Sequence, residues 1–264
     1  MQPTLNIALP IVRSAGEFIM RAYERKDSFS VTQKSAHDFV TEIDHKVEQY
    51  IFERLQQNYP AYGYLGEESG TQPSDSEHLW ILDPLDGTTN FIHGFPQFAI
   101  SLALKVKGIT ELAIVYDPVL REEFTALRGR GARMNNHRLR VTAIAGLNDA
   151  LIGTGFPFRP EQMPQLPSYL KTLSEVARLS AGIRRAGAAA LDLAWVAAGR
   201  LDGFWESGLS LWDMAAGDLL IREAGGLVTD YQGGVSYLEQ GQIVAGNARV
   251  VKALLGILQS SAHT

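Results

Sequence analysis

The 264-residue sequence predicts a mixed α+β fold built as two packed parts. Three observations predict it. Apolar residues recur at three- and four-residue steps near both ends of the chain, as amphipathic helices require. Between His78 and Tyr116 short apolar runs alternate with turn residues, the pattern of an antiparallel meander. From Leu151 onward strand-like and helix-like segments take turns, the pattern of an α/β unit. Residues 1–142 are therefore expected to form an α+β subdomain and residues 143–264 an α/β subdomain. No flexible linker separates them, so the cleft between the two is the natural place for a site.

Taken in order, Ile11, Val12, Ala15, Phe18, Ile19 and Ala22 predict an opening helix that starts at Pro10 or slightly before it. Thr41, with Asp44 three residues on, predicts a second helix beginning near Asp44; Val47, Tyr50, Ile51 and Leu55 form its apolar face and Pro60 stops it. Residues 78–82 predict a strand stopped by Asp83-Pro84, and residues 98–106 and 111–116 two more, turned at Lys107-Gly108. Residues 128–140 hold five arginines with Gly129, Gly131 and Asn135-Asn136, which predicts a tight hairpin. In so acidic a chain its charge suits a solvated surface better than an RNA site. Residues 151–155 then read as a strand, 168–177 and 188–198 as helices, and 204–206 as a strand. Residues 212–224 follow as a helix ended by Gly225-Gly226, Leu227–Thr229 as a strand and 250–258 as a last helix.

Composition excludes several classes of function. A hydrophobic fraction of 45% with 20% charged residues suits a globular chain and rules out a disordered or collagenous one. With 24 basic against 29 acidic residues the net charge is -5, so the chain as a whole does not attract polyanions. Any phosphate it handles must be met locally, by a metal ion or a few placed donors. The absence of cysteine excludes disulfides, zinc fingers, iron-sulfur ligation and thiol nucleophiles. The opening residues carry no basic region followed by an unbroken apolar stretch, and the longest apolar runs fall far below the ~20 residues of a membrane span. The expectation is a cytoplasmic protein with no membrane contact.

The chemistry concentrates in acids placed beside chain breakers: Glu67-Glu68 after Gly66, Asp83 and Asp86 around Pro84 and before Gly87, and Asp213 at a helix start. Pro84 pushes Asp83 toward an extended conformation and Gly87 permits a sharp turn, so the carboxylates of Asp83 and Asp86 can converge. At an effective dielectric of about 20, two such charges 4 Å apart cost ~4 kcal/mol, so several in one place must take up protons or hard cations. All-oxygen ligation favours magnesium, manganese or calcium over zinc. Gly87, Thr88, Thr89 and Asn90 open a short helix whose amides can face such cations, a combination that describes a phosphate pocket. Against this, Asp-Gly is an ordinary turn pair, and Asp44 or Asp213 can simply cap a helix. There is no Walker A loop, no G-x-G-x-x-G after a strand, no G-x-S-x-G and no H-E-x-x-H, and the histidines show no ligand spacing.

Glu67-Glu68-Ser69, Asp83-Pro84-Leu85-Asp86-Gly87-Thr88-Thr89-Asn90 and Trp212-Asp213-Met214-Ala215-Ala216-Gly217, in that order, resemble the inositol monophosphatase family of lithium-sensitive, magnesium-dependent phosphomonoesterases. The resemblance extends over nearly the whole chain. It takes in Asp38-Phe39-Val40-Thr41, Asp44, residues 129–135 and residues 184–193, and is strongest to the bacterial extragenic-suppressor branch. It implies an αβαβα layered sandwich, a homodimer, and a site between the halves.

The resemblance also implies residue roles. Glu67, Asp83 and the carbonyl of Leu85 would hold a first magnesium, Asp83, Asp86 and Asp213 a second, and Glu67 a weaker third. Thr88, oriented by Asp44, would position and help deprotonate the attacking water, with Glu67 beside it as a further catalytic group. The Gly87 and Thr88 amides would bind phosphate, and Asp86, Asp213, Glu206 and the backbone near Ala189 the alcohol. Gly187-Ala188-Ala189 departs from the family's common hydroxyl-bearing loop, which loses one contact to the ring. The suppressor branch further implies RNA polymerase or antitermination factors as partners. Hydrolysis of nucleotides or sugar bisphosphates is the alternative within the same superfamily.

Overall fold

The computed structural model describes residues 1–25, 30–35, 38–72 and 74–262. Helix α1 (Gln2–Glu24) begins well ahead of the predicted start, with Pro3 in its first turn and Pro10 inside it. Pro3 removes an N–H that has no intrahelical partner anyway. Pro10 does remove a ladder bond, but the buried stripe of Ala8, Val12, Ala15 and Ile19 holds the helix through it, each large aliphatic side chain contributing roughly 1.5–3 kcal/mol. A hairpin of β1 (Val31–Ser35) and β2 (Asp38–Thr41) leads into α2 (Glu42–Asn58). That helix starts where predicted, because Thr41 and Asp44 close a capping box across its first turn.

Next come β3 (Gly63–Gly66), β4 (Gly70–Gln72), β5 (His78–Asp86), the short α3 (Thr88–His93), β6 (Ala99–Val106), β7 (Ile109–Asp117), β8 (Glu122–Leu127), β9 (Gly131–Met134) and β10 (His137–Arg138). Eight of these strands form one sheet in the order β10-β9-β8-β7-β6-β5-β3-β4, antiparallel except for β3 against β5. The arginine-rich segment is a hairpin as predicted. Asn135 and Asn136 form its two-residue turn with φ of 47° and 67°, the left-handed pair that a type I′ turn demands.

Strand β5 corrects one expectation, since it continues through Asp83-Pro84 to Asp86. The ladder to β6 shifts there: Asp83 faces Ser101 and Asp86 faces Ala99, three steps on one strand against two on the other. One residue is bulged out, and Pro84, which has no N–H to give the ladder, falls inside the bulge. Residues three apart on a regular strand point to opposite faces, and one bulged residue restores them to the same face.

The rest of the chain forms β11 (Leu151–Thr154), a 3-10 turn (Pro160–Gln165), α4 (Leu166–Leu179), β12 (Gly182–Arg184), α5 (Ala189–Ala197), β13 (Gly203–Ser207), α6 (Leu211–Glu223), β14 (Leu227–Thr229), α7 (Tyr237–Gln240), β15 (Gln242–Gly246) and α8 (Ala248–Ala262). The sheet order is β12-β11-β13-β15-β14. Alternation of strand and helix yields parallel pairs for β11 with β12 and β13, but β15 runs antiparallel to both of its neighbours.

Alternating side chains set the layers. On β5, Trp80 and Leu82 face α1 and α2, while Ile81 faces α5 and α6; on β7, Leu112 and Ile114 face the first pair and Ala113 and Val115 the second. Phe204 and Ala245 of the smaller sheet pack on the other side of α5 and α6, and Trp205 and Val244 pack against α4 and α8. The result is an αβαβα sandwich. Small residues let the central helices meet closely: a Cβ at Gly217 on α6 would stand 2.5 Å from Cβ of Leu193 on α5. Every strand ladder stays on one side of residue 142, whereas the central apolar cluster draws Ile81 and Phe124 from one side and Phe204 and Ile243 from the other. Among the described residues no helix is long and apolar enough to cross a membrane.

Candidate functional site

The bulge of β5 ends at Gly87, whose φ of 94° suits glycine and whose Cα faces the Gln97 carbonyl; a Cβ there would lie 2.8 Å from that oxygen. The chain then turns directly into α3. Strand β3 runs parallel beside β5 and delivers Glu67 next to Leu82, where the Glu67 N–H donates to the Leu82 carbonyl. Helix α6 brings Asp213 from the other half. Its Oδ2 accepts the Ser210 N–H at 2.7 Å in a capping box. The Ser101 hydroxyl on β6 donates to the Trp212 carbonyl at 3.0 Å and ties the two halves together at this point.

These elements enclose a cavity of about 690 Å3. Glu67, Asp83, Leu85, Asp86, Gly87, Thr88, Ala189, Glu206 and Asp213 all line it. Of the residues singled out from sequence, Glu68 does not line it, and Asp44 stands behind the wall. It is fully buried and reaches the cavity through the Thr88 hydroxyl, which lies 3.1 Å from Asp44 Oδ1 and 3.0 Å from the Leu85 carbonyl.

The acids are poorly compensated by the protein itself. Burial, then the charges of Glu67, Asp86 and Asp213, pushes the Asp83 carboxyl well above the usual carboxylate range. It accepts the Leu85 N–H at 2.9 Å. Asp86 is raised by burial and by Asp213, partly offset by the Ala190 N–H at the start of α5, which donates at 2.7 Å. Burial lifts Glu206 to about 8 against the opposing pull of Arg185 and Arg159. Burial also raises Asp44, although Thr41 and Thr88 donate to it. The arginines thus act on the Glu206 end of the cavity, whereas Asp83 and Asp86 are perturbed chiefly by burial and by other carboxylates.

Among the described residues no three acidic or histidine side chains already close around a point as a metal-holding group. The carboxylates line the cavity without closing on one another, as like charges should. The donor set still fits a hard divalent cation. It is all oxygen, it is anionic, and among the described residues no lysine or arginine acts on the Asp83 and Asp86 end to neutralise it.

Several residues of the site escaped the sequence reading. Glu48 is buried and its carboxylate accepts the Glu68 N–H at 3.0 Å and the Ser69 N–H at 2.7 Å, fixing the turn that carries Glu67. Its signal was present: Asp44 and Glu48 are acids one helical turn apart on the face of Val47 and Ile51. Asn90 was read only for its place at the helix start, whereas its side-chain amide donates to the carbonyls of Gln97 at 2.7 Å and Ala186 at 2.9 Å, joining the α3 loop to the residues before α5. Asp192 lies in the 184–193 segment of the resemblance but was given no role from sequence, and Arg159 and Phe156 line the cavity without any local sequence signal.

A family model described as the inositol monophosphatase family matches residues 1–263. The chain belongs to the inositol monophosphatase family. Within it, the chain is 57% identical over 262 residues to a Pseudomonas aeruginosa protein named Nus factor SuhB, covering 98% of this chain and 97% of that one. The crystal structure of the extragenic suppressor protein SuhB from Bartonella henselae superimposes with a TM-score of 0.93 at 44% identity, covering 97% of this chain and 98% of the other. Inositol monophosphatase II of Staphylococcus aureus, solved with inositol monophosphate bound, superimposes at 0.81 with 25% identity over 98% and 95% of the two chains, and a second structure of it holds 2'-AMP. These family structures share the two flanked sheets seen here, and the family is one of phosphatases.

Proposed function

We propose that this chain is a magnesium-dependent phosphomonoesterase that hydrolyses inositol 1-phosphate and related small phosphate monoesters. In this reading residues 1–142 carry most of the cation-holding groups, and residues 143–264 carry the alcohol contacts and Asp213. One observation carries it: Glu67, Asp83, Asp86 and Asp213, from segments far apart in sequence, face one cavity beside a hydroxyl tied to a buried aspartate. Those four carboxylates and the Leu85 carbonyl would hold two or three magnesium ions. Bound there, magnesium would supply Lewis acidity, easing loss of a proton from the attacking water and offsetting charge on the phosphoryl and alkoxide oxygens.

The chain's own residues do the rest. Thr88 Oγ1 donates its proton toward Asp44 and Leu85, so its lone pairs are left to accept from the attacking water and orient it in line with phosphorus. Asp44, raised by burial, strengthens that pull on the proton. Glu67, which also lines the cavity, would help hold the same water. The amides of Gly87 and Thr88, at a helix start where no intrahelical acceptor exists, bind phosphate oxygens. Asp86, Asp213, Glu206 and the backbone at Ala189 meet the alcohol. The inositol monophosphate held by the Staphylococcus aureus relative supports the substrate class, and the 2'-AMP it also holds supports nucleotide or sugar bisphosphates as the alternative. Family membership supports a homodimer. The Nus factor name of the Pseudomonas relative supports a second role beside RNA polymerase or antitermination factors.

Phosphate release from inositol, glycerol, adenosine and fructose phosphates tests the first role, with magnesium varied and lithium added. Release that requires magnesium and falls with lithium is expected; turnover that persists in chelator refutes the cation assignment. For the second role, a pull-down from cytoplasm that recovers neither polymerase nor an antitermination factor counts against it.

A further inference from the structure

Asp192 lies in the first turn of α5, is 1% exposed and still lines the cavity. Its Oδ1 is buried and has no hydrogen-bond partner among the described residues. Its neighbours in charge are Glu206, Asp86 and Arg185, of which Glu206 and Arg185 belong to the alcohol end of the cavity. Buried polar atoms are ordinarily satisfied, and leaving one unsatisfied is unfavourable unless a ligand completes it. Nothing in the packing requires an acid here: the neighbouring α5 positions Leu191 and Leu193 are fully buried apolar residues. A missing partner inside a ligand cavity therefore belongs to a ligand.

The chemistry of that partner is restricted. An anionic group on the alcohol has no proton to give the Asp192 oxygen, and an apolar group would leave that oxygen bare. A neutral hydroxyl satisfies it, donating to a carboxylate and able to accept from Arg185, which also lines the cavity. We propose that Asp192 is a specificity-determining residue which binds a hydroxyl of the substrate's alcohol and so selects polyol phosphates over monoesters without a second hydroxyl. This rests on the phosphatase reading above and extends it to a residue outside the cation-holding set. Because the contact is made to a part of the substrate that does not react, it acts mainly through KM.

The test compares full-length wild type with Asp192→Ala and the isosteric Asp192→Asn, each with magnesium, on inositol 1-phosphate and on 4-nitrophenyl phosphate. The preference for the inositol ester, as a ratio of kcat/KM values, is expected to fall at least about tenfold in Asp192→Ala through a rise in KM. Asp192→Asn is expected to recover part of it, since an amide oxygen still accepts. A ratio within about twofold of wild type in both variants overturns the proposal. If wild type hydrolyses neither ester, the phosphatase reading fails, and calorimetric titration with myo-inositol decides this inference by itself. Binding weakened at least about tenfold in Asp192→Ala supports it, whereas equal binding, or none to wild type, overturns it.

Discussion

Replacing Gly155 by alanine should disable the alcohol end of the cavity while sparing the fold. Strand β11 pairs with β13 so that Thr154 lies opposite Trp205, which sets Gly155 beside Glu206. A Cβ at Gly155 would stand 1.7 Å from Glu206 Oε1 and 1.8 Å from its Cδ, half the 3.4 Å at which ordinary van der Waals contact begins. The Gly155 backbone is outside the left-handed region, so alanine adds no strain there and the whole clash falls on one side-chain tip. The Glu206 carboxyl must retreat by roughly 1.7 Å, and a misplacement of about 1 Å in a site group can cost ~100-fold. We expect kcat/KM for inositol 1-phosphate to fall by about that factor. The shift in Tm should stay within about 4 °C, the equivalent of about 1 kcal/mol in a chain of this size. In a Glu206→Ala background the Gly155→Ala effect should vanish, because both changes act on the same carboxylate. Steady-state kinetics and calorimetric unfolding measure all three quantities. A Gly155→Ala enzyme with wild-type kcat/KM would refute the placement of Glu206 against this glycine.

Three further outcomes follow from the same geometry. Asp213→Asn keeps the oxygen that accepts the Ser210 N–H but removes one of the four charges, so turnover should drop at least ~100-fold with Tm held or raised; an undiminished rate removes Asp213 from the cation-holding set. Glu206 carries a proton in the fold up to about 8 and in the unfolded chain only to the ordinary glutamate range, so the folded state binds more protons between those values. Stability without added cation should therefore fall as pH rises from 5 to 9, and Glu206→Gln should reduce that slope in thermal melts while leaving the share of the other raised carboxyls; a slope of the opposite sign, or one that the substitution leaves unchanged, contradicts the burial argument. Glu48→Ala strands the Glu68 and Ser69 amides and should cost about 2–4 kcal/mol by denaturant titration, with magnesium-dependent turnover lost as Glu67 drifts; a loss below about 0.5 kcal/mol would show that the turn holds itself.

Much of this protein is local in origin. The capping box of Thr41 and Asp44, the Asn135-Asn136 turn and the stops at Gly199 and Gly225 are written within a few neighbouring residues, because caps and turns satisfy backbone groups at short range. The acid-and-breaker motifs are local in the same way. So was the presence of an apolar stripe on α1, although its start was misplaced: a proline reads as a boundary in isolation, and only the packing of Ala8 and Leu5 shows that the helix passes through it.

What only the tertiary structure decided is which of those pieces meet. The bulge at Pro84, which turns Asp83 and Asp86 to one side, exists because β6 supplies two residues where β5 supplies three, and no window of sequence contains both strands' registers. Strand β15 inserts antiparallel between β13 and β14 in a sheet whose other pairs are parallel, which no local alternation of strand and helix in the sequence indicates. Glu48, Asn90 and Asp192 reach the site through contacts spanning tens of residues, and burial, the property that perturbs their neighbours, is not a property of any single residue. Spacing and side-chain chemistry thus determined which groups were available for phosphate work, while long-range packing decided where their charges would be concentrated, since desolvation arises only when distant segments exclude water together.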